Sequence, residues 1–147
     1  MRCPFCNYED TKVIDSRPAE GKKRRRRECT NCGRRFTTYE CVEVPELYVV
    51  KRDGSFQPFD RAKLIAGISS ATKKRPISIE RVNAIVDDVE QFCANNMLTQ
   101  VTSEQIGDIV LSKLRDIDLV AYVRFASVYK DFTDVDSFIS IISELDM

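Results

Sequence analysis

The sequence predicts an α+β protein in which a small all-β module precedes a β-hairpin on a helical bundle. Two observations predict it. The first 45 of the 147 residues hold two Cys-x-x-Cys pairs, whereas the rest is rich in Ile, Leu, Val and Phe at helical spacing. Pro45 interrupts the pattern between them. We therefore predict domains at 1–45 and 47–137, followed by a C-terminal helical tail at 138–147.

Three short strands are predicted in the front module. They cover Lys12–Ser16, Arg24–Glu28 and Arg34–Cys41. Pro18–Gly21 has the composition of a turn and is expected to join the first two strands.

A β-hairpin is predicted at the start of the back domain. Leu47–Arg52 and Ser55–Phe59 are the two strands, and Asp53-Gly54 between them is typical of a type I′ turn.

Helices follow the hairpin, and their starts are indicated by capping residues. Asp60 and Ser78 are expected to cap the first two helices, and Thr102 with Gln105 forms a capping-box pattern for the third. The side chains expected to face inward are Leu64, Ile65, Ile68 and Ala71 on the first helix, Val82, Ile85, Val86, Val89 and Phe92 on the second, and Ile106, Ile109, Val110 and Leu114 on the third.

Two further helices complete the prediction. A fourth helix runs from about Asp118 to Tyr129. A last amphipathic helix follows Asp134, and it is expected to turn Phe138, Ile141, Ile142 and Leu145 inward.

The paired cysteines predict a metal site. Cys3 and Cys6 form one Cys-x-x-Cys turn, and Cys29 and Cys32 form another after 22 intervening residues. Two such turns supply the four thiolates that zinc prefers, and Gly33 leaves the second turn unhindered. We predict one structural Zn²⁺ per chain, which stabilises a module too small to fold on apolar burial alone. Redox Cys-x-x-Cys pairs and an iron–sulfur cluster are the alternatives.

The remaining composition argues against catalysis. The chain has no histidine, the commonest general base, and a four-cysteine site has no open coordination position. Cys93 falls on the apolar face of the second helix and is expected in the core. Cys41 has no predicted role.

Charge is segregated although the net charge is zero. Residues 1–45 carry 11 Lys and Arg against 7 Asp and Glu, and residues 46–147 carry 12 against 16. The excess is concentrated in six consecutive cations at 22–27, which end two residues before Cys29, a predicted metal ligand. The pattern predicts a polyanion partner at the front of the chain.

Several other residues extend this basic run. Arg17, Arg34 and Arg35 add charge, and Phe36 and Tyr39 either pack beneath the patch or touch nucleic acid. Arginine makes bidentate contacts to phosphate and to guanine edges. We predict a nucleic-acid surface, against the alternative of a solvated face, and the pattern does not separate DNA from RNA.

The hairpin and the next helix bring cations together. Lys51 and Arg52 precede Gly54, and Lys63 lies in the first turn of a helix, near its positive end. This arrangement suits a polyphosphate, although a plain surface hairpin is the alternative. Neither GxxxxGK[ST] nor GxGxxG occurs in the chain.

The motifs together resemble a known family. The order CPFC, DSR, RRRREC with RFTT, then VVKRDG, FD and YVRFASVYKDF closely resembles the NrdR family of bacterial transcriptional repressors of ribonucleotide reductase genes. The resemblance implies a zinc ribbon followed by an ATP-cone, the domain that senses ATP and dATP.

The resemblance also implies roles for individual residues. The implied zinc ligands are Cys3, Cys6, Cys29 and Cys32; the implied nucleotide-binding residues are Val49, Lys51, Arg52, Gly54 and Lys63; and the implied DNA-binding residues are Asp15, Arg17, Arg24, Arg25, Arg26 and Arg27. Tyr122, Arg124 and Tyr129 line the pocket or a subunit interface, or are simply part of a buried helix.

The function expected from the resemblance is a nucleotide-responsive repressor, not an enzyme. Its expected partners are promoter DNA, adenine nucleotides as regulatory ligands, and further copies of itself in a nucleotide-dependent assembly. The alternatives are an RNA- or ribosome-associated zinc module, a nucleotide hydrolase and a thiol oxidoreductase. No apolar run approaches the ~20 residues that span a bilayer, and no secretion signal is seen, which favours the cytoplasm.

Overall fold

The structure, a computed structural model, describes residues 1–146. The chain divides into two compact units, Met1–Val44 and a second unit that begins at Pro45. Met147, the last residue of the predicted tail, lies outside the described residues.

The first unit is a three-stranded antiparallel sheet in the order β1-β2-β3. Its strands are β1 (Thr11–Ala19), β2 (Lys22–Cys29) and β3 (Arg35–Glu40). The predicted four-residue turn at 18–21 was too long, because Ala19 pairs with Lys22 and only two residues lie between them. Both have positive φ, 40° at Glu20 and 76° at Gly21, so the turn matches the right-handed strand twist.

A second three-stranded sheet lies in the second unit, where the sequence predicted only a hairpin. The strands are β4 (Tyr48–Val50), β5 (Phe56–Pro58) and β6 (Gln100–Thr102), in the order β5-β4-β6. β6 runs parallel to β4 and was missed. This strand is three residues long and ends at Thr102, which is also the N-cap of the next helix. The sequence pattern at Thr102 therefore indicated a helix start and not a strand.

The hairpin turn differs from the predicted type. Gly54 has φ 82°, but Asp53 lacks the positive φ that a type I′ turn requires. Lys51 and Ser55 close a three-residue loop, with the Lys51 N–H donating to the Ser55 carbonyl at 2.9 Å and the Gly54 N–H to the Lys51 carbonyl at 2.9 Å. This is a turn that ends in a glycine bulge, and Arg52 is one of its loop residues.

Within the described residues, five helices follow. They are α1 (Arg61–Ala71), α2 (Ile79–Asn95), α3 (Ser103–Ile117), α4 (Leu119–Tyr129) and α5 (Val135–Leu145). Asp60, Ser78, Asp118 and Asp134 accept N-cap hydrogen bonds, and Thr102 with Gln105 forms a complete capping box. The predicted starts of all five helices are confirmed within one residue.

One apolar core joins the helices and the small sheet of the second unit. Ile68, Val86, Val89, Val110 and Leu114 are fully buried at its centre. Cys93 is also buried there, as predicted.

The prediction of the inward face of α5 was confirmed for two of its four residues. Ile141 is buried and Leu145 packs against the core, but Phe138 and Ile142 are 38% and 47% exposed. The main contact of α5 with another helix is with α4. Phe138 packs edge-on against Phe132, with the ring centroids 4.9 Å apart, and Ile142 remains exposed. Within residues 1–146, no helix has the length and apolar character needed to cross a membrane.

Candidate metal centre, nucleic-acid face and nucleotide cavity

Four cysteine sulfur atoms meet in the first unit. The Sγ atoms of Cys3, Cys6, Cys29 and Cys32 all lie within 4.8 Å of one another. The distances from Cys3 to Cys32 and from Cys6 to Cys29 are 3.7 and 3.6 Å. A tetrahedral zinc ion with Zn–S bonds of about 2.3 Å requires sulfur atoms about 3.8 Å apart. The donor set therefore fits one zinc ion without a free position for water.

The two Cys-x-x-Cys turns share one backbone geometry. The residue after each second cysteine is left-handed, with φ 61° at Asn7 and 71° at Gly33. The Phe5 N–H donates to the Sγ of Cys3 at 3.4 Å, which favours the thiolate form. The Arg34 guanidinium lies over the Phe5 ring at 5.2 Å, so the second turn packs on the first.

The electrostatics of the cluster favour a bound cation. The Tyr8 backbone N–H is the main cause that lowers the pKa of Cys6 to about 6. At Cys32 the Arg34 N–H also lowers the pKa, but desolvation and the neighbouring thiols outweigh it and raise the pKa to about 11. The sulfur atoms thus resist joint deprotonation by themselves, and a divalent cation removes that resistance.

The sheet of the first unit separates the arginines of β2 onto two faces. Arg24 and Arg26 point to one face, and Arg25 and Arg27 to the other, because side chains alternate along a strand. Directly opposed residues of antiparallel strands share a face. The face of Arg24 and Arg26, here the cationic face, comprises Asp15, Arg17, Arg24, Arg26, Thr37 and Tyr39.

The arginines of the opposite face already have protein partners. Arg25 pairs with Glu40 at 3.1 Å, and the Arg27 Nε donates to the Thr38 hydroxyl at 3.2 Å. Phe36 lies opposite Arg27 and is half-buried. These contacts occupy both guanidinium groups within the sheet.

Two of the three arginines on the cationic face are available for a partner. Within residues 1–146, neither Arg24 nor Arg26 forms an ion pair. The Asp15 carboxylate pairs with the Arg17 Nε at 3.0 Å. Tyr39 is 58% exposed beside them. The six residues implied for DNA binding therefore divide into four on this face and two on the other.

A cavity of about 210 Å³ opens in the second unit between the β4–β5 hairpin, α1, α3 and α4. Three of the residues implied for nucleotide binding line it, namely Val49, Lys51 and Lys63. Its other walls are largely apolar and include Ile106 and Phe125. An apolar cavity with cations at its edge suits a ligand that has both a flat base and phosphates.

The two lysines are free to meet an anion. Within the described chain, neither Lys51 nor Lys63 forms an ion pair. The Lys63 N–H donates to the Asp60 carboxylate at 3.2 Å, which places Lys63 in the first turn of α1. The positive end of the helix therefore adds to the lysine charge at this site.

Arg52 and Gly54 lie at the hairpin turn beside the cavity instead of lining it. The Arg52 Nη2 donates to the Tyr129 carbonyl oxygen at 2.9 Å, and its Nε lies 3.9 Å from the Glu104 carboxylate. Gly54 provides the left-handed turn residue. Arg52 is thus already engaged with the end of α4.

The three residues left open on α4 differ in their contacts within the chain, and a role at a subunit interface stays a prediction. Tyr122 is buried in the core, 8% exposed. The Arg124 Nη1 donates to the Lys73 carbonyl oxygen at 2.8 Å. Tyr129 lines the cavity.

Sequence reasoning missed several cavity residues, among them Gly67, Ser103, Gly107 and Phe125. Two of them are glycines inside helices. Glycine destabilises a helix interior, so its presence there usually indicates close packing or a functional site. Those interior glycines were a signal that could have located the cavity.

The comparisons with known proteins identify the family. Residues 1–40 match the family described as "Transcriptional repressor NrdR-like, N-terminal domain", and residues 47–135 match the "ATP cone domain". A "Transcriptional repressor NrdR" of Caldicellulosiruptor bescii is 50% identical over 147 residues, which is 99% of this chain and 96% of that protein. This chain belongs to the NrdR family.

Other NrdR proteins are equally similar. Relatives of the same name from Fusobacterium nucleatum and Dictyoglomus turgidum are each 50% identical, over 99% of this chain and 98% of theirs. The matches confirm the zinc ribbon and the ATP-cone, and with them the α+β fold class. The relatives are named as repressors, which confirms the expectation of a regulatory protein instead of an enzyme.

Proposed function

We propose that this NrdR-family chain is a nucleotide-responsive repressor of ribonucleotide reductase genes. Residues 1–45 bind promoter DNA through the zinc ribbon, and residues 47–137 bind ATP or dATP and control that binding. The observation that carries the proposal is the cationic face, where Arg24 and Arg26 have no ion-pair partner within residues 1–146, next to a four-thiol cluster in the same unit.

The cationic face is the proposed DNA contact. A sheet or β-ribbon fits the major groove, and arginine reads guanine with two hydrogen bonds. Arg17, Arg24 and Arg26 reach the DNA, with Asp15 orienting Arg17 through their 3.0 Å ion pair. Arg25 and Arg27, engaged on the other face, add charge at longer range.

The cavity of the second unit is the proposed nucleotide site. Lys51 and Lys63 meet the phosphates, and Val49 with the apolar walls meets the base. Arg52 and Gly54 shape the adjoining hairpin turn. ATP and dATP differ by one hydroxyl, so the difference between their effects depends on how the ribose contacts this site.

Assembly links the two sites in the proposal. One small zinc module makes few DNA contacts, so specific binding needs two or more modules on repeated half-sites. The nucleotide controls DNA binding only if it prefers one homo-oligomeric arrangement over another. We place this activity in the cytoplasm, where bacterial promoter DNA lies.

The nucleotide site is tested by replacing Lys63 with alanine and titrating ATP and dATP by calorimetry. The variant is expected to bind both at least tenfold more weakly, because one charge-assisted phosphate contact is lost. Lys73→Ala is the matched control, since Lys73 is an exposed lysine outside the cavity whose carbonyl contact to Arg124 is retained. Equal affinities for wild type and Lys63→Ala would place the nucleotide elsewhere.

A further inference from the structure

Three charged side chains form a row across the sheet of the first unit, on the side of the cationic face. Glu28 lies two residues after Arg26 on β2, so the two side chains point to one side of the sheet. Lys12 of β1 and Arg35 of β3 are the residues directly opposite Glu28. Directly opposed residues share a side, so Lys12, Glu28 and Arg35, here the charged row, extend the cationic face toward the cysteine turns.

A β-bulge at Ile14 brings Lys12 to this side of the sheet. Thr11–Val13 pair with β2 in one register and Asp15–Ala19 in another, shifted by one residue, and Ile14 is the extra residue between them. Strict alternation along β1 would place Lys12 and Asp15 on opposite sides, because they lie three residues apart. The bulge therefore adds a cation of β1 to the side that carries Asp15, and bulges of this kind often re-aim side chains next to functional sites.

The Glu28 carboxylate holds one cation from each outer strand. Its Oε1 lies 3.2 Å from the Lys12 Nζ, and its Oε2 accepts a hydrogen bond from the Arg35 Nε at 2.9 Å. Arg35 first, and then Lys12, hold the pKa of the Glu28 carboxyl below its usual range. The Glu28 side chain is 21% exposed, whereas those of Lys12 and Arg35 are 60% and 66% exposed. The acid is thus shielded between two cations that remain accessible to a further partner.

We propose that Glu28 is a positioning residue for DNA binding, which holds Lys12 and Arg35 as a pair of phosphate contacts beside the cationic face. The proposal rests on the DNA-binding function proposed above. Phosphate contacts carry no sequence information, but they fix the register of a protein on the duplex. Cations that are already held in place lose less conformational freedom on binding than free ones do. Glu28 therefore increases the preference for promoter DNA, although its own charge repels phosphate.

The positioning role is tested with Glu28→Gln, which keeps the size of the side chain and removes its charge. The full-length, zinc-loaded chain is titrated with promoter duplex and with a random-sequence duplex of equal length at one salt concentration. The variant is expected to bind the random duplex several-fold more tightly, because the row gains one positive charge, while promoter affinity does not rise. The ratio of the two affinities should therefore fall at least fivefold.

The affinity ratio separates this role from its rivals. An acid that only repels DNA would raise both affinities by the same factor, and an acid that only staples the sheet would lower both through loss of zinc or of protected strands. An unchanged ratio in Glu28→Gln, or zinc loss from this variant, would overturn the proposal. If wild type itself shows no preference for the promoter, the proposed function fails instead.

The phosphate contacts are tested separately by replacing Lys12 or Arg35 with alanine and measuring promoter affinity over a range of salt concentrations. Each variant is expected to give a slope of log affinity against log salt that is shallower by about one. Lys23→Ala is the matched control, because Lys23 is exposed and its odd position on β2 points it to the opposite side of the sheet. Wild-type slopes in Lys12→Ala and Arg35→Ala would contradict the proposed phosphate contacts.

Discussion

Replacing Cys29 with serine is expected to unfold the zinc ribbon and leave the ATP-cone folded. In residues 1–44 the only buried side chains are Cys3 and Cys29, so this unit lacks an apolar core of its own. Zinc binding supplies about 10–16 kcal/mol in small modules at neutral pH, and losing one of four thiolates removes most of it. The second unit has its own core and does not depend on the metal.

Hydrogen exchange measured with zinc content checks this expectation. Cys29→Ser should lose its zinc and exchange rapidly over β1 to β3, while α2 and α3 keep wild-type protection. Cys41→Ser is the matched control, because Cys41 is exposed and outside the four-sulfur cluster. A zinc-free variant with protected strands would show that the metal is not what holds this unit together.

Replacing both Arg24 and Arg26 with alanine is expected to weaken promoter binding roughly a hundredfold. Each arginine lost from a base or phosphate contact costs about 1–3 kcal/mol, and each lost phosphate contact reduces the salt slope by about one. The matched control is the double variant Arg25→Ala with Arg27→Ala. It removes the same charge from the opposite face, where the guanidinium groups contact Glu40 and Thr38. Its expected loss is at most tenfold.

A mobility-shift titration over a range of salt concentrations distinguishes the two pairs. The wild-type slope of log affinity against log salt should be steep, and the Arg24/Arg26 variant should have a slope shallower by about two. Equal losses from both pairs would mean that overall charge, and not the cationic face, determines binding. Stronger binding to duplex RNA than to promoter DNA would favour the rival assignment to an RNA-associated module.

The elements that depend on local chemistry could be predicted from the sequence. Asp60, Ser78 and Thr102 start helices because their side chains bond to backbone N–H groups within the same turn, a contact readable from neighbouring residues. The cysteine cluster was equally readable, since Cys-x-x-Cys spacing nearly determines the geometry of each turn.

What depends on distant contacts could not be predicted. β6 exists because Val101 pairs with Val49 across 52 residues, and nothing near Val101 indicates that pairing. The exposure of Phe138 and Ile142 depends on how little of α5 meets α4, which helical periodicity does not report. A helix with two apolar stripes gives the same pattern whether one or both are covered.

The cationic face and the cavity could be predicted only in part. The run of arginines predicted a charged surface, but only the strand register separates Arg24 and Arg26 from Arg25 and Arg27. Lys51 and Lys63 were found by their places beside a turn and a helix start, whereas Tyr129 was left open because its ring position depends on Gly107 of another helix.

Nucleotide control of repression requires that ligand binding in the second unit change DNA binding by the first, and one measurement tests this directly. Promoter affinity of the zinc-loaded chain is measured with ATP, with dATP and without nucleotide, for wild type and for Lys63→Ala. The promoter affinity of wild type is expected to change at least tenfold among the three conditions. At low nucleotide concentration, the promoter affinity of Lys63→Ala is expected to be nearly the same in all three. The same wild-type affinity in every condition would contradict nucleotide control of this repressor.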